Sequence, residues 1–517
     1  MRNPRLLIAL AALLLGWTTL PAPAQDEDGY NAAKYLLDQT TEPYRDGRHN
    51  TMLLSLRQLG DRDLLPLFNA LSQSRFPAQR VHGVLGAAEL STDRRIDLAV
   101  LAEIENDREL VEVLSAAMDG EMIDKAGLAT LLEWESLSPG VKQAIALRLL
   151  SKGGVIDPGK YRAPLGEVLS EETNTGALLQ YALAALLLAE AGDAQGKAAL
   201  EKLGKLQGAS ADAVLAQLFD GAMKHELKAA GPVALLVAKD SGRGASLRML
   251  GVQTAMRLRA EGAGRHWQIM YANEQEPARR VRLALIAMDA AQAGETGPFE
   301  MLSASDDELL RHLGKAGRAL ANGEREPDRA FAPLLAMGQP LVNTWLVSYC
   351  GREKPAGYPA LLEAVITAHH AGEARNRARL SEAAINAVQV LCEKAPDQAT
   401  RRLAPLLANA VEPTGDHNAA LAQRQIILVG AARAHGSDLK DFAKTIGTDK
   451  HNDMLTETFR LLLRARYGAT LTNKEWTRVS DIVQGVGQVD LGLRVQLAWL
   501  YLEHMGKADQ AIKDVLK

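Results

Sequence analysis

The sequence predicts an all-α protein, and three observations carry that expectation. Aromatic residues make up only 4% of the 517-residue chain, whereas Ala, Leu, Gly and Val dominate an apolar share of 47%. Ala and Leu lose little conformational freedom in a helix. Apolar residues also recur at helical spacing: in Asp61 to Ser72, the side chains of Leu64, Leu65, Leu67, Phe68 and Leu71 share one face. Finally, no stretch of useful length alternates β-branched or aromatic residues between turn signals, which a strand requires.

In chain order, the first element is a predicted export signal. Arg2 and Arg5 precede an uncharged apolar run from Leu6 to Leu15, and Ala22-Pro23-Ala24 supplies the small residues of a cleavage site. Residues 1–24 therefore read as a cleavable signal peptide, with a mature chain from about Gln25. No Cys follows the expected cleavage site, so no lipid anchor is expected. The longest later apolar stretch, Ala177 to Ala189, is interrupted by Gln180 and ended by Glu190. It falls short of the roughly 20 residues of a membrane span and reads as a buried helix. The expectation is a periplasmic or secreted protein without an integral membrane anchor. Losing Arg2 and Arg5 takes the formal charge from −4 to −6. That balance gives no electrostatic case for nucleic acid as a partner.

A helix that opens polar and turns rich in Ala and Leu recurs along the chain. Pro77 to Leu90 and Pro277 to Met288 are two copies; further ones are Ser138 to Leu150, Leu178 to Ala189, Ser246 to Leu258, Leu380 to Leu391, Leu421 to Ala434 and Leu491 to Leu502. Helix centres at Ala284, Ala316, Leu346, Ala387, Val429, Leu461 and Ala498 are spaced by 32, 30, 41, 42, 32 and 37 residues. A helix pair with two short turns needs steps of that size. The segments between have helical spacing too, as in Leu361, Leu362, Val365 and Ile366. Stops are expected at Gly60, Gly153-Gly154, Gly192, Gly231-Pro232, Gly294 and Gly436, where Gly ends one helix and a polar residue or Pro opens the next. A single helix pair cannot bury both its apolar faces, so stacking of neighbours is expected. The predicted fold is an α-solenoid of about a dozen antiparallel helix pairs. A polar linker, Asn322 to Asp328, is the expected hinge between residues 25–321 and 329–517.

Glu276 to Leu285 (Glu-Pro-Ala-Arg-Arg-Val-Arg-Leu-Ala-Leu) resembles the second-helix signature of HEAT-like repeats, in which a Pro-led turn precedes a Val-Arg pair and a small apolar helix. Phe76 to Leu90 is a weaker copy, with His82 at the Arg position. The last stretch, Ala498 to Tyr501 followed by Gly506 to Ile512, looks more like a tetratricopeptide unit. The resemblance implies a helical repeat stack that binds a partner through an extended groove.

Motifs for chemistry are weak. Gly192 to Ala198 superficially resembles a phosphate-binding loop, but it is one residue short, lacks the Mg²⁺-binding Ser or Thr and follows a helix. No cofactor is expected. His369 and His370 form the densest His cluster, yet adjacent helical residues point about 100° apart and cannot readily share an ion. A solvated helix end, favourable to the helix dipole, is the expected environment. Cys350 and Cys392 each close an apolar helix, one repeat apart. An even count in an oxidising compartment allows a disulfide. Stacked helices about 8–10 Å apart would hold the pair beyond bridging range. Two buried thiols are the expected outcome. Arg257, Arg279, Arg280 and Arg282 belong to an Arg-dense stretch that also holds Arg243 and Arg248; Arg375, Arg377 and Arg379 follow in a later turn. Such Arg either pair with carboxylates of a neighbouring repeat or line the groove and bind an anionic partner. The expected function is thus a binding scaffold for a protein or envelope component. The alternative is a helical enzyme acting on cell-wall glycan through a buried carboxylic acid.

Overall fold

Helices begin where a short polar side chain or a proline closes the first turn. Asn106, Asp124, Asn174, Asp193, Asp307, Asp453 and Asp490 each accept a hydrogen bond from a backbone N–H of the turn that follows. Thr472 and Glu475 cap each other reciprocally. Pro77, Pro139, Pro277 and Pro340 stand at the first position of their helices, where the missing N–H costs nothing. Gly60, Gly153 and Gly192 end helices with φ of +69°, +68° and +88°, as their positions in the sequence predict. Gly231-Pro232 does not act as a stop, because it lies in the first turn of a helix starting at Ala230, where proline is tolerated.

The computed structural model describes residues 25–42, 48–166, 169–170, 173–291, 296–409, 417–435, 438–447 and 453–517. The expected signal peptide, Gly294 and Gly436 lie outside the described residues. Among the described residues the chain is all-α, 75% helical and without strands. The described residues form 28 α-helices in two compact units. The first unit joins the described residues up to Ser91 with those from Asp438 to Lys517, and the second holds the described residues between Thr92 and His435. The first unit opens with α1 (Gln25–Asp38), α2 (Arg48–Leu59), α3 (Leu65–Ser72) and α4 (Pro77–Leu90). The second holds α5 (Leu98–Ala102), α6 (Asp107–Asp119), α7 (Lys125–Leu132), α8 (Pro139–Ser151), α9 (Thr175–Glu190), α10 (Ala194–Lys205), α11 (Ala209–His225), α12 (Ala230–Lys239), α13 (Ala245–Arg257) and α14 (Ala263–Asn273). It continues with α15 (Pro277–Asp289), α16 (Gly297–Ser303), α17 (Glu308–Ala321), α18 (Asp328–Ala336), α19 (Pro340–Glu353), α20 (Tyr358–Thr367), α21 (Arg377–Lys394), α22 (Pro396–Asn409) and α23 (His417–Arg433). The chain then returns to the first unit with α24 (Lys440–Thr445), α25 (Met454–Arg466), α26 (Asn473–Val483), α27 (Leu491–His504) and α28 (Ala508–Val515).

Packing in the second unit follows a short-range rule: a helix touches the next one and the next but one. Helix α9 packs on α10 and α11, α11 on α13, α13 on α15 and α15 on α17; α10 in turn packs on α12. The same rule holds later, with α19 on α21, α21 on α23, α18 on α20 and α20 on α22. The segment 322–328 is the turn from α17 to α18, which pack on each other within the second unit. In the first unit α27 is central, touching α1, α2, α25 and α26. The seven repeat centres read from the sequence fall inside α15, α17, α19, α21, α23, α25 and α27, and all seven side chains are buried. Small residues explain the close approach of axes. A Cβ placed on Gly196 of α10 would collide with the α9 backbone at Ala189, and one on Gly317 of α17 with the Phe299 ring of α16.

Candidate functional site

The arginines divide into those that hold the fold and those that face solvent. Arg257, at the end of α13, donates to Asp289 of α15 at 3.3 Å and lies 3.5 Å from Glu353 of α19. Arg352 completes this network, contacting Asp289 and donating to Glu353 at 2.7 Å. Arg243 is fully buried; it pairs with Asp212 and donates to the carbonyls of Gly204 at 2.8 Å and Leu206 at 2.6 Å. Arg248 donates to the Ala238 carbonyl at 3.3 Å. Arg280 donates to the Tyr271 hydroxyl at 3.3 Å, its guanidinium 4.9 Å from the centre of that ring. It also lines a cavity of about 340 Å³ beside Asp306 and Asp307. Arg279 and Arg282 are exposed on α15, Arg279 forming an ion pair with Glu276 at 2.9 Å.

The later arginine turn has a concave neighbour. Arg375 and Arg379 line a cavity of about 360 Å³ together with Asn376, Glu373, Pro340 and Leu341. Its local geometry follows from two glycines. Gly338 (φ +58°) precedes α19 and Gly372 (φ +71°) precedes α21, both in the left-handed region that disfavours other residues. The two turns touch so closely that a Cβ on Gly338 would strike the Ala371 carbonyl. Asn376 ties them further by donating to the Gly338 carbonyl at 3.3 Å. The contact sets the start of α19, with Leu341 left 56% exposed, beside Arg375 and Arg379. Arg375 lies 2.5 Å from Glu373, an exposed pair of little stabilising worth. Arg377 and Arg379 are exposed. The arrangement offers guanidinium groups, a side-chain amide and one apolar side chain on a single concave surface.

His369 is not at a solvated helix end. The chain passes from α20 into a 3₁₀ turn, Ala368–His370, which buries the ring to 3% exposure. Nδ1 lies 2.9 Å from the Ile366 carbonyl and so carries the hydrogen. Burial, ahead of the neighbouring His370, lowers the pKa of this ring. Cys350 and Cys392 are free, buried cysteines on α19 and α21, each thiol pushed up to about 12, chiefly by desolvation.

In the first unit, Asp61, Asp63 and Glu503 place one oxygen each within 4.8 Å of one another. They are the one group among the described residues with a spacing that could hold a metal ion. Trp499 donates to Asp61 Oδ2 at 2.8 Å, and the Asp63 backbone N–H donates to Asp61 Oδ1 at 3.0 Å. Burial pushes the Glu503 carboxyl up to about 9, helped by its hydrogen bond to Asp61 and by the charges of Asp61 and Asp63. A proton held by Glu503 and shared with Asp61 satisfies this pair without a cation. No sequence signal could have paired these residues, since they come from opposite ends of the chain.

No family model, curated protein or solved structure matches the chain. The HEAT-like likeness therefore rests on the residues of α4 and α15, and the tetratricopeptide likeness on those of α27 and α28. No helix among the described residues is long and apolar enough to cross a membrane.

Proposed function

We propose that the chain is an exported binding scaffold, a HEAT-like α-solenoid that holds an acidic protein segment or anionic envelope component. The reading is carried by the concave surface between α19 and α21, where Arg375 and Arg379 stand beside exposed Leu341. Exposed guanidinium groups recognise carboxylates and phosphates bidentately, and an apolar neighbour adds contact area that a purely solvated charge patch lacks. Exposed Arg279 and Arg282 on α15 belong to the same proposed class of contact. The packing of each helix on its next and next-but-one neighbours supports the solenoid reading, because that pattern builds long continuous surfaces.

The test is capture from an envelope fraction with the tagged full chain. Partners should be retained by the wild type, and reduced about tenfold by Arg375→Glu with Arg379→Glu, with no change in melting temperature. Arg279→Glu with Arg282→Glu should weaken capture in the same sense. Unchanged capture by both double variants would reject the reading.

One feature favours the glycan-hydrolase alternative: Glu503 lies beside Asp61 with its carboxyl pushed up to about 9, the direction a general acid needs. Neither residue lines the two cavities described above. Release of soluble fragments from purified cell-wall glycan by the wild type, lost in Glu503→Gln, would establish it.

A further inference from the structure

Four helices of the second unit, α6, α8, α9 and α11, surround a cavity of about 330 Å³. Its wall is aliphatic, with Leu147, Leu179, Leu183 and Leu186 contributed by α8 and α9. Ligand cavities start at about this size. The polar side is formed by Arg148 of α8 with Lys224 and His225 of α11. Asp119, the one carboxylate in the lining, is held by Lys224 at 2.5 Å.

Arg148 is oriented but not saturated. One of its terminal nitrogens donates to the Met118 carbonyl at 3.2 Å and the other approaches His225 Nδ1 at 3.5 Å. Its Nε is buried and has no partner. The side chain is 16% exposed, whereas Glu121, its ion-pair partner at 3.3 Å, is 70% exposed and lies outside the cavity lining. Such a solvated carboxylate neutralises a guanidinium weakly. Burial, then the charges of Arg148 and Lys224, lower the His225 pKa and so favour the neutral ring. Accepting from Arg148 at Nδ1, a neutral ring carries its hydrogen on Nε2. Gly221 of α11 opens the space: a Cβ there would meet nothing within 4 Å.

We propose that this cavity binds a small carboxylate with a short aliphatic tail, the carboxylate on Arg148 and His225 and the tail among the leucines. Guanidinium and imidazole N–H groups beside an apolar wall complement an amphipathic anion. A long acyl chain would exceed the volume, and an inorganic anion would leave the leucine wall unfilled.

Octanoate labelled with ¹³C at its carboxyl is the probe, read on the full chain by calorimetry and by the carboxyl resonance. One octanoate per chain should bind, with n-octanol about tenfold weaker because it lacks the charge. Arg148→Gln should weaken octanoate about tenfold. Gly221→Leu, which fills open space and favours the helix, should abolish binding with melting temperature maintained or raised. The idea is overturned by any of three results: no binding at millimolar octanoate, equal binding of octanol, or undiminished binding by Gly221→Leu. Partner capture through Arg375 and Arg379 uses other helices, so Gly221→Leu leaves it intact. The two proposals can therefore fail separately.

Discussion

At the scale of single residues, burial decides the chemistry of the charged groups. Glu503 has a folded pKa of about 9, above the 4.5 of a free glutamate, so folding takes up a proton. The stability linked to that group is fully present below pH 4.5 and is lost as pH rises through the folded value. Melting temperature should therefore fall between about pH 5 and pH 9, and Glu503→Gln should flatten that part of the profile. A wild-type profile flat over this range would show that Glu503 is ionised in the folded protein. Arg460 of α25 is the opposite case, a buried cation with its charges matched. It donates to Glu457 at 2.8 Å and to Glu475 at 2.5 Å. Arg460→Met would leave those carboxylates short of a partner and should cost about 3–5 kcal/mol in urea unfolding. A loss under about 1 kcal/mol would show that Arg464 and Arg478, which also reach these carboxylates, suffice. The thiols of Cys350 and Cys392 should resist iodoacetamide in the native protein. Without reductant, both should label on denaturation; absence of label at both would reveal a bridge.

For the helices, close approach rather than bulk sets the packing. Leu283 is fully buried in α15, and Leu283→Ala should cost about 2–5 kcal/mol by transfer and cavity terms. A cost within about 0.5 kcal/mol would mean that this face of α15 is not interior. The repeat steps make the helices legible in the sequence, because an Ala- and Leu-rich centre is both a strong helix former and a core position. The ends were legible at Gly60, Gly153 and Gly192 for a similar reason: few other residues take a left-handed φ cheaply. Gly231-Pro232 was misread because proline starts helices as readily as it stops them. His369 was misread because it lies in a 3₁₀ turn, not at the end of the regular helix, and no local pattern marks that its ring is buried there.

For the whole molecule, the first unit depends on contacts between residues more than four hundred positions apart. Gln496 of α27 donates to the Ser55 carbonyl of α2 at 2.9 Å, and Trp499 reaches Asp61. The second unit instead pairs helices that are close in the chain. Deleting residues 491–517 removes the helix on which α1, α2 and α26 pack. Residues 25–91 and 438–490 should then become sensitive to limited proteolysis, while 92–437 stays resistant. Unchanged resistance of the first unit would show that α27 is dispensable to it.

The sequence by itself determined that this chain is helical and where its helices centre. Those properties are local, since helix propensity, apolar period and turn chemistry act over a few residues. Only the tertiary structure decided which arginines are spent on the fold and which remain at a surface. Arg257 and Arg279 look alike in sequence, yet one joins α13 to Asp289 and Glu353 of other helices and the other stays exposed beside its sequence neighbour Glu276. Partner choice, burial and pKa depend on distances between elements that no local pattern encodes, which is why Asp61 met Glu503 only in three dimensions.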